Sequence, residues 1–208
     1  MKCDKKTMLL YAVTDRQSLY EQVEAALKGG ATCIQLREKD LNEEDFLRES
    51  IEMAALCKKY KVPFLINDNV EIAIKCHADG VHVGQKDMEA SRVRQRVGKD
   101  MIIGVSAHSV EEALEAVKSG ADYLGVGAVF STSTKADAEV LPKQVLGDIC
   151  SAVEIPVVAI GGISKANISQ LSGTGVDGVA LVSAIFAAEN IEDECCMLRR
   201  LSEEMVFQ

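Results

Sequence analysis

Two cations and an amide recur at alternate positions in Gln35-Leu36-Arg37-Glu38-Lys39, at the end of the short apolar run Ala31 to Ile34. In an extended strand alternate side chains share a face, so Gln35, Arg37 and Lys39 point one way and Ile34, Leu36 and Glu38 the other. Such a cluster suits a polyanionic ligand, although a solvated strand end presents the same residue types. Asp68 and Asp87 add two carboxylates, nineteen positions apart in sequence. If they meet between adjacent strands, about 5 Å apart, they suit a hard divalent cation. The expected ion is Mg2+, held by one or two carboxylates with substrate phosphate oxygens completing its shell. Taken singly, Asp68 also fits a helix cap and Asp87 a turn. Ser106 ends Gly104-Val105-Ser106 and places a small hydroxyl nearby. Thr132, Thr134 and Lys135 lie in a long segment, Gly127 to Leu141, with hydroxyls and a charge fit for phosphate.

The elements that must position these residues alternate in type. Expected strands are Met8 to Val13, Thr32 to Leu36, Val62 to Ile66, Gly80 to Val83, Met101 to Val105, Tyr123 to Val126, Pro156 to Ile160 and Val176 to Leu181. Helical patterns fill the intervals: Leu19 to Lys28, Glu43 to Lys59 behind an Asn42 cap, Val70 to Cys76, Ala90 to Val97 and Val110 to Lys118 behind Ser109. Further helices are expected at Lys143 to Ala152, Lys165 to Leu171, Ala184 to Ala187 and Ile191 to Met205. Eight βα units in 208 residues predict an α/β chain folded as a single-domain (β/α)8 TIM barrel over residues 1–208. An open doubly wound sheet would carry a glycine-rich turn after its first strand, whereas Thr14-Asp15-Arg16-Gln17 has no glycine. Barrels of this class build their sites at the C-terminal ends of the strands, so the discriminating residues are read from those eight positions. Gly161-Gly162-Ile163 and Val182-Ser183 end the last two strands, the recurrent place for a phosphate on backbone N–H groups.

Composition narrows the function classes. The net charge is −9, with four Tyr, five Phe and no Trp. Without a basic stripe, nucleic acid is not an expected partner. No apolar run approaches membrane-spanning length and the N-terminus does not read as a signal peptide, so a cytoplasmic protein that does not enter membranes is expected. Seven cysteines without CxxC spacing fit a reducing compartment. Cys33, Cys57, Cys76 and Cys150 read as small buried thiols. His82 alternates with Val81 and Val83 and is expected inside the barrel, hydrogen-bonded and not a metal ligand. His77 and His108 read as peripheral. The partners expected are small molecules, and a homo-oligomer stays open.

The strand ends taken together resemble the thiamine phosphate synthase family. The matching residues are Gln35 to Lys39, Asn67-Asp68, Gly80-Val81-His82-Val83-Gly84-Gln85 with Asp87, Gly104-Val105-Ser106, Thr132 to Lys135, Ala159 to Ile163 and Val182 to Ile185. Three positions depart from the family pattern: Ala128 and Ser131 stand where proline is common, and Asn69 where a basic residue is. The resemblance implies a transferase of thiamine biosynthesis. It would join 4-amino-2-methyl-5-hydroxymethylpyrimidine diphosphate to 4-methyl-5-(2-hydroxyethyl)thiazole phosphate, or its carboxylated form, by dissociative displacement of diphosphate. It further implies a pyrimidine diphosphate site at Gln35, Leu36, Arg37, Glu38, Lys39, Asn67, Ser106 and Lys135. Arg37, Lys39, Ser106 and Lys135 would serve catalysis, and Asp68 and Asp87 would hold Mg2+. The thiazole phosphate site would comprise Thr132, Ser133, Thr134, Gly162, Val182 and Ser183. A thiazole tautomerase-like isomerase, another phosphosugar barrel enzyme and a non-catalytic thiamine-phosphate-binding regulator are the competing readings.

Overall fold

The strands are short and buried on both faces, apolar towards the helices and mixed apolar, small and polar towards the barrel interior, as a closed parallel sheet requires. A computed structural model describes residues 3–14, 20–132 and 139–207. The eight strands are β1 (Leu10–Val13), β2 (Cys33–Leu36), β3 (Phe64–Asn67), β4 (Gly80–Val83), β5 (Ile102–Ala107), β6 (Tyr123–Gly127), β7 (Val157–Ile160) and β8 (Gly178–Leu181). Each pairs in parallel with the next, and β1 pairs with β8 (Leu10 beside Val179, Ala12 beside Leu181), so the sheet is a closed barrel. Outside it run α1 (Tyr20–Lys28), α2 (Glu43–Tyr60), α3 (Val70–Lys75), α4 (Ala90–Val97), α5 (Val110–Lys118), α6 (Lys143–Ala152), α7 (Ser183–Phe186) and α8 (Ile191–Phe207). The (β/α)8 barrel expected from the pattern is the architecture observed. Where a helix was expected at Lys165 to Leu171, only a 3-10 turn forms, Ile168–Leu171. Among the described residues no helix is long and apolar enough to cross a membrane.

Strand alternation sorts side chains into two cores. Outward residues such as Leu10, Ile34, Leu36, Ile66, Val81, Val105 and Leu181 pack beneath the helices. Inward residues Met8, Tyr11, Cys33, Leu65, Ile102, Tyr123 and Val158 fill the barrel. Along the inward rows of β2, β3 and β5 the chemistry changes from apolar to polar towards the strand's C-terminal end: Cys33 to Gln35, Leu65 to Asn67, and Ile102 through Gly104 to Ser106. The lower barrel is therefore filled, while the upper end offers polar groups and space.

The lower rim carries a repeated brace. Thr32 Oγ1 accepts the Leu10 N–H (2.8 Å), Asp79 the Phe64 N–H (3.0 Å), Asp122 the Ile103 N–H (2.8 Å) and Asp177 the Val157 N–H (2.9 Å). Each acceptor lies just before an even-numbered strand and reaches the preceding odd one. Backbone N–H groups at the strand starts are thereby satisfied, and the register of four strand pairs is fixed. Helix starts are fixed in the same currency: Asn42, Asn69 and Ser109 accept from Asp45, Ile72 and Glu112 N–H groups. Asn42 and Ser109 are the caps their sequence positions lead one to expect.

Four of the thiols, Cys33, Cys57, Cys76 and Cys195, are buried, whereas Cys150 is only partly buried and Cys196 is exposed. Cys150 differs from expectation because α6 presents it towards the chain at Gly175 without covering it fully.

Candidate active site

The polar upper end of the barrel opens into a cavity of about 970 Å3, within the range that holds small-molecule ligands. Its lining includes Gln35, Arg37, Lys39, Asn67, Asp68, Asp87, Ser106, Thr132, Gly162, Val182 and Ser183. Residues from seven strand ends, distant in sequence, thus share one space. Leu36 does not reach it: the side chain is 1 % exposed and packs outward under the helices. Glu38 is likewise not part of the lining. Both follow from alternation, which turns them away from Gln35, Arg37 and Lys39. Ser133, Thr134 and Lys135 lie outside the described residues.

The carboxylate pair is placed by backbone. The Asp68 N–H donates to the His82 carbonyl (2.8 Å), carrying the β3–β4 ladder one residue beyond β3. Asp68 then turns into the left-handed region (φ 62°), a conformation aspartate tolerates better than most residues. Asn69, immediately after, caps α3, so Asp68 is free of that duty. On the neighbouring strand end, Asp87 Oδ2 accepts the Gly84 N–H at 2.8 Å and its own N–H returns to the Gly84 carbonyl (3.2 Å). Burial first, and then the charge of the neighbouring Asp87 carboxyl and hydrogen bonding to it, raise the Asp68 pKa to about 6, while Arg37 and Asn67 act in the opposite direction. Asp68 therefore lies within the fields of both Asp87 and Arg37.

The opposite wall is backbone. Gly162 (φ 66°) sits against the chain leaving β6, where a Cβ would come within 2.3 Å of the Ser131 carbonyl oxygen and 2.8 Å of that of Phe130. No larger residue fits that approach. Val182 and Ser183 open the short helix α7, and the Val182 carbonyl accepts from Ile185 and Phe186 N–H groups. Glu139 to Pro142 complete this side of the rim.

Four further contributors were not singled out by sequence. Tyr11 and Tyr123 floor the cavity, with their hydroxyls 2.8 Å apart, and Gln35 Nε2 donates to Tyr11 (2.6 Å). Burial raises both phenol pKa values well above the ordinary range. His108 borders the cavity instead of lying away from it, its Nδ1 3.0 Å from Glu112. Glu139 also lines it. The tyrosines could have been found by extending alternation down β1 and β6, since both share the inward rows of Val13 and Gly125. His82 is inside the barrel and hydrogen-bonded, as its alternation with valines predicts: Nδ1 lies 2.8 Å from the Tyr123 hydroxyl and Nε2 2.9 Å from Ser106 Oγ.

Comparison with known proteins agrees with this arrangement. The family model for thiamine monophosphate synthase matches residues 10–185. A thiamine-phosphate synthase of Clostridium acetobutylicum is 48% identical over 190 residues, covering 89% of this chain and 90% of that protein. That of Ruminiclostridium cellulolyticum is 51% identical over 188 residues, covering 88% and 90%. The solved structure of a thiamine phosphate pyrophosphorylase from Pyrococcus furiosus superposes with a TM-score of 0.91 at 41% identity, covering 97% of this chain and 98% of the other. With both sequence and barrel matched over nearly their whole length, the chain belongs to the thiamine monophosphate synthase family.

Proposed function

We propose that this protein is the transferase that joins 4-amino-2-methyl-5-hydroxymethylpyrimidine diphosphate to 4-methyl-5-(2-hydroxyethyl)thiazole phosphate, or its carboxylated form, releasing diphosphate and thiamine phosphate, with CO2 lost in addition when the carboxylated form is used. The observation that carries this reading is a single cavity with two unlike anion-binding walls. One presents Arg37, Lys39 and the Asp68–Asp87 pair, and the other presents Gly162, Val182 and Ser183. Two phosphorylated substrates can then lie face to face, and holding them so removes much of the entropic barrier to coupling.

The residues present fit Mg2+. Asp68 and Asp87 offer carboxylate oxygens on one wall of the cavity, near enough that the Asp87 charge raises the Asp68 pKa, and a divalent cation between them would relieve that repulsion. Among the described residues no group of three or more His, Cys, Asp or Glu side chains could enclose a metal, so water and substrate oxygens would complete the shell. When bound there, Mg2+ supplies positive charge to the diphosphate oxygens. Arg37 and Lys39, with Lys135, give fixed positive charge to the same group as the bond between the pyrimidine methylene carbon and the diphosphate oxygen breaks. The electron pair leaves with diphosphate, and the thiazole nitrogen's lone pair forms the new C–N bond. Ser106, Gln35 and Asn67 hold the pyrimidine end; Thr132, Ser133, Thr134, Gly162, Val182 and Ser183 hold the thiazole phosphate. No protein nucleophile is required. A cytoplasmic biosynthetic role suits these substrates.

The test is incubation of the purified protein with Mg2+ and each substrate alone, then with both, followed by mass analysis. Thiamine phosphate is expected only when both are present. Rearrangement of the thiazole alone would favour an isomerase, and binding without turnover a regulator.

A further inference from the structure

A chain of hydrogen bonds crosses the barrel beneath the cavity. Gln35 Nε2 donates to the Tyr11 hydroxyl (2.6 Å), which is 2.8 Å from the Tyr123 hydroxyl. Tyr123 in turn lies 2.8 Å from His82 Nδ1, and His82 Nε2 lies 2.9 Å from Ser106 Oγ. Four strands contribute before the chain reaches β5, and its far end is a hydroxyl on the cavity wall. We propose that His82 is a positioning residue: this chain fixes it as the Nε2–H tautomer, so that Ser106 accepts from His82 and turns its own hydroxyl hydrogen into the cavity as a donor to substrate. The proposal rests on the synthase reading for its substrate, but the tautomer is a property of the protein alone.

The sense of the chain follows from its ends. Only the Gln35 amide nitrogen is restricted to donating. With Tyr11 accepting that hydrogen, its own goes to Tyr123, the Tyr123 hydrogen goes to His82 Nδ1, and Nε2 must carry the ring proton. In the reverse sense Tyr11 receives two hydrogens and is left to direct its own towards the Cys33 sulfur, which shares the barrel interior with it. Sulfur is a weak acceptor, so the first sense satisfies every member better.

The barrel is shaped around this chain. At Gly104 a Cβ would fall 2.1 to 2.4 Å from atoms of the Tyr123 phenol, and at Gly125 one would lie 3.0 Å from His82 Cε1. Two inward positions thus lack side chains where the two rings pass. Gln35, Tyr11 and Tyr123 are all buried, which strengthens each hydrogen bond and penalises any left unmade. Ser106 is also held from behind, since its carbonyl accepts from Gln85 Nε2 at 2.6 Å. Both ring nitrogens of His82 are engaged, Nδ1 with the Tyr123 hydroxyl and Nε2 with Ser106 Oγ, so the neighbours of the ring select its tautomer. The substrate group that Ser106 addresses is consequently an acceptor: an unprotonated ring nitrogen or a phosphate oxygen.

The sequence contains three histidines, so the His77→Gln, His108→Gln double variant leaves His82 as the one imidazole in the chain. Two-dimensional 15N–1H spectra of that protein, with 15N-labelled histidine at pH 7.5, are expected to show a bare Nδ1 and a protonated Nε2. An Nδ1–H tautomer would overturn the proposal, whatever the protein catalyses. In kinetics, His82→Leu and Ser106→Ala are each expected to lower kcat/KM by about ten- to a hundred-fold, with the double variant little worse than either. His82→Gln, which keeps a donor near the Nε2 position, is expected to recover much of the loss. Should His82→Leu not fold, Tyr123→Phe removes the donor to Nδ1 and is expected to mix the two tautomers in the same spectra. A Tyr123→Phe spectrum identical to the parent's would count against the chain as the cause.

Discussion

Asp68 occupies a backbone conformation that few side-chain-bearing residues adopt, and the reason lies in what its carboxyl meets. The left-handed turn at φ 62° ends β3 and brings the carboxyl to Asp87. Replacing either by asparagine keeps size and local hydrogen bonding while removing charge. Asp68→Asn and Asp87→Asn are expected to lower turnover by about a hundred-fold or more with Tm shifted little, because the loss falls on charge placement. A variant with full turnover in a thiamine phosphate assay would remove that residue from the leaving-group site. The same pair predicts a pH dependence. Asp68 has its pKa raised from 3.8 to about 6, so below that value the pair holds a proton that a cation must displace. Lowering the pH from about 7.5 to about 5.5 is therefore expected to weaken apparent Mg2+ affinity roughly four-fold, and titration calorimetry at the two pH values reads it. An unchanged affinity would contradict a shared proton at this site.

At the scale of elements, strands carry both the site and the braces beneath it, and the two ends can be separated by mutation. Asp79 touches no part of the cavity lining but accepts the Phe64 N–H at the start of β3. Asp79→Ala leaves that partly buried N–H without its partner and is expected to cost about 1–3 kcal/mol of stability. Denaturant unfolding checks the loss, and kcat measured well below the melting temperature should stay near that of the parent. A large fall in kcat at unchanged stability would mean that the two ends are coupled. Much of this was legible in sequence because strand alternation is local: Gln35, Arg37 and Lys39 face the cavity, and Leu36 faces the helices, as their spacing predicts. The braces were also present in sequence, as Ala31-Thr32, Ala78-Asp79, Ala121-Asp122 and Val176-Asp177 before alternate strands. Their partners, however, belong to the preceding strand and follow only from register. The pairing of Tyr11 with Tyr123, 112 positions apart, is less accessible still, since it forms across the closed barrel and no local period encodes it. His108 was misplaced for a similar reason, because a residue just past β5 borders the cavity only once the neighbouring strands have closed around it.

Among the described residues eight strands close into one barrel, packed below and holding a single polar cavity at its upper end, which suits both substrates entering from that end. A cavity of about 970 Å3 with unlike walls is suited to hold both at once. Initial velocities measured against both substrates are accordingly expected to give intersecting, sequential patterns. Parallel, ping-pong patterns would require a covalent pyrimidinyl enzyme for which the proposal has no nucleophile. Coupling of the two halves should release diphosphate from the Asp68–Asp87 wall, and quantitative product analysis of the purified protein with both substrates, in Mg2+ and again after addition of a chelator, tests this. One thiamine phosphate per diphosphate released is expected, with loss of both on adding chelator and recovery of both on restoring Mg2+. Absence of thiamine phosphate with fresh substrates, or formation undiminished by chelator, would contradict that coupling.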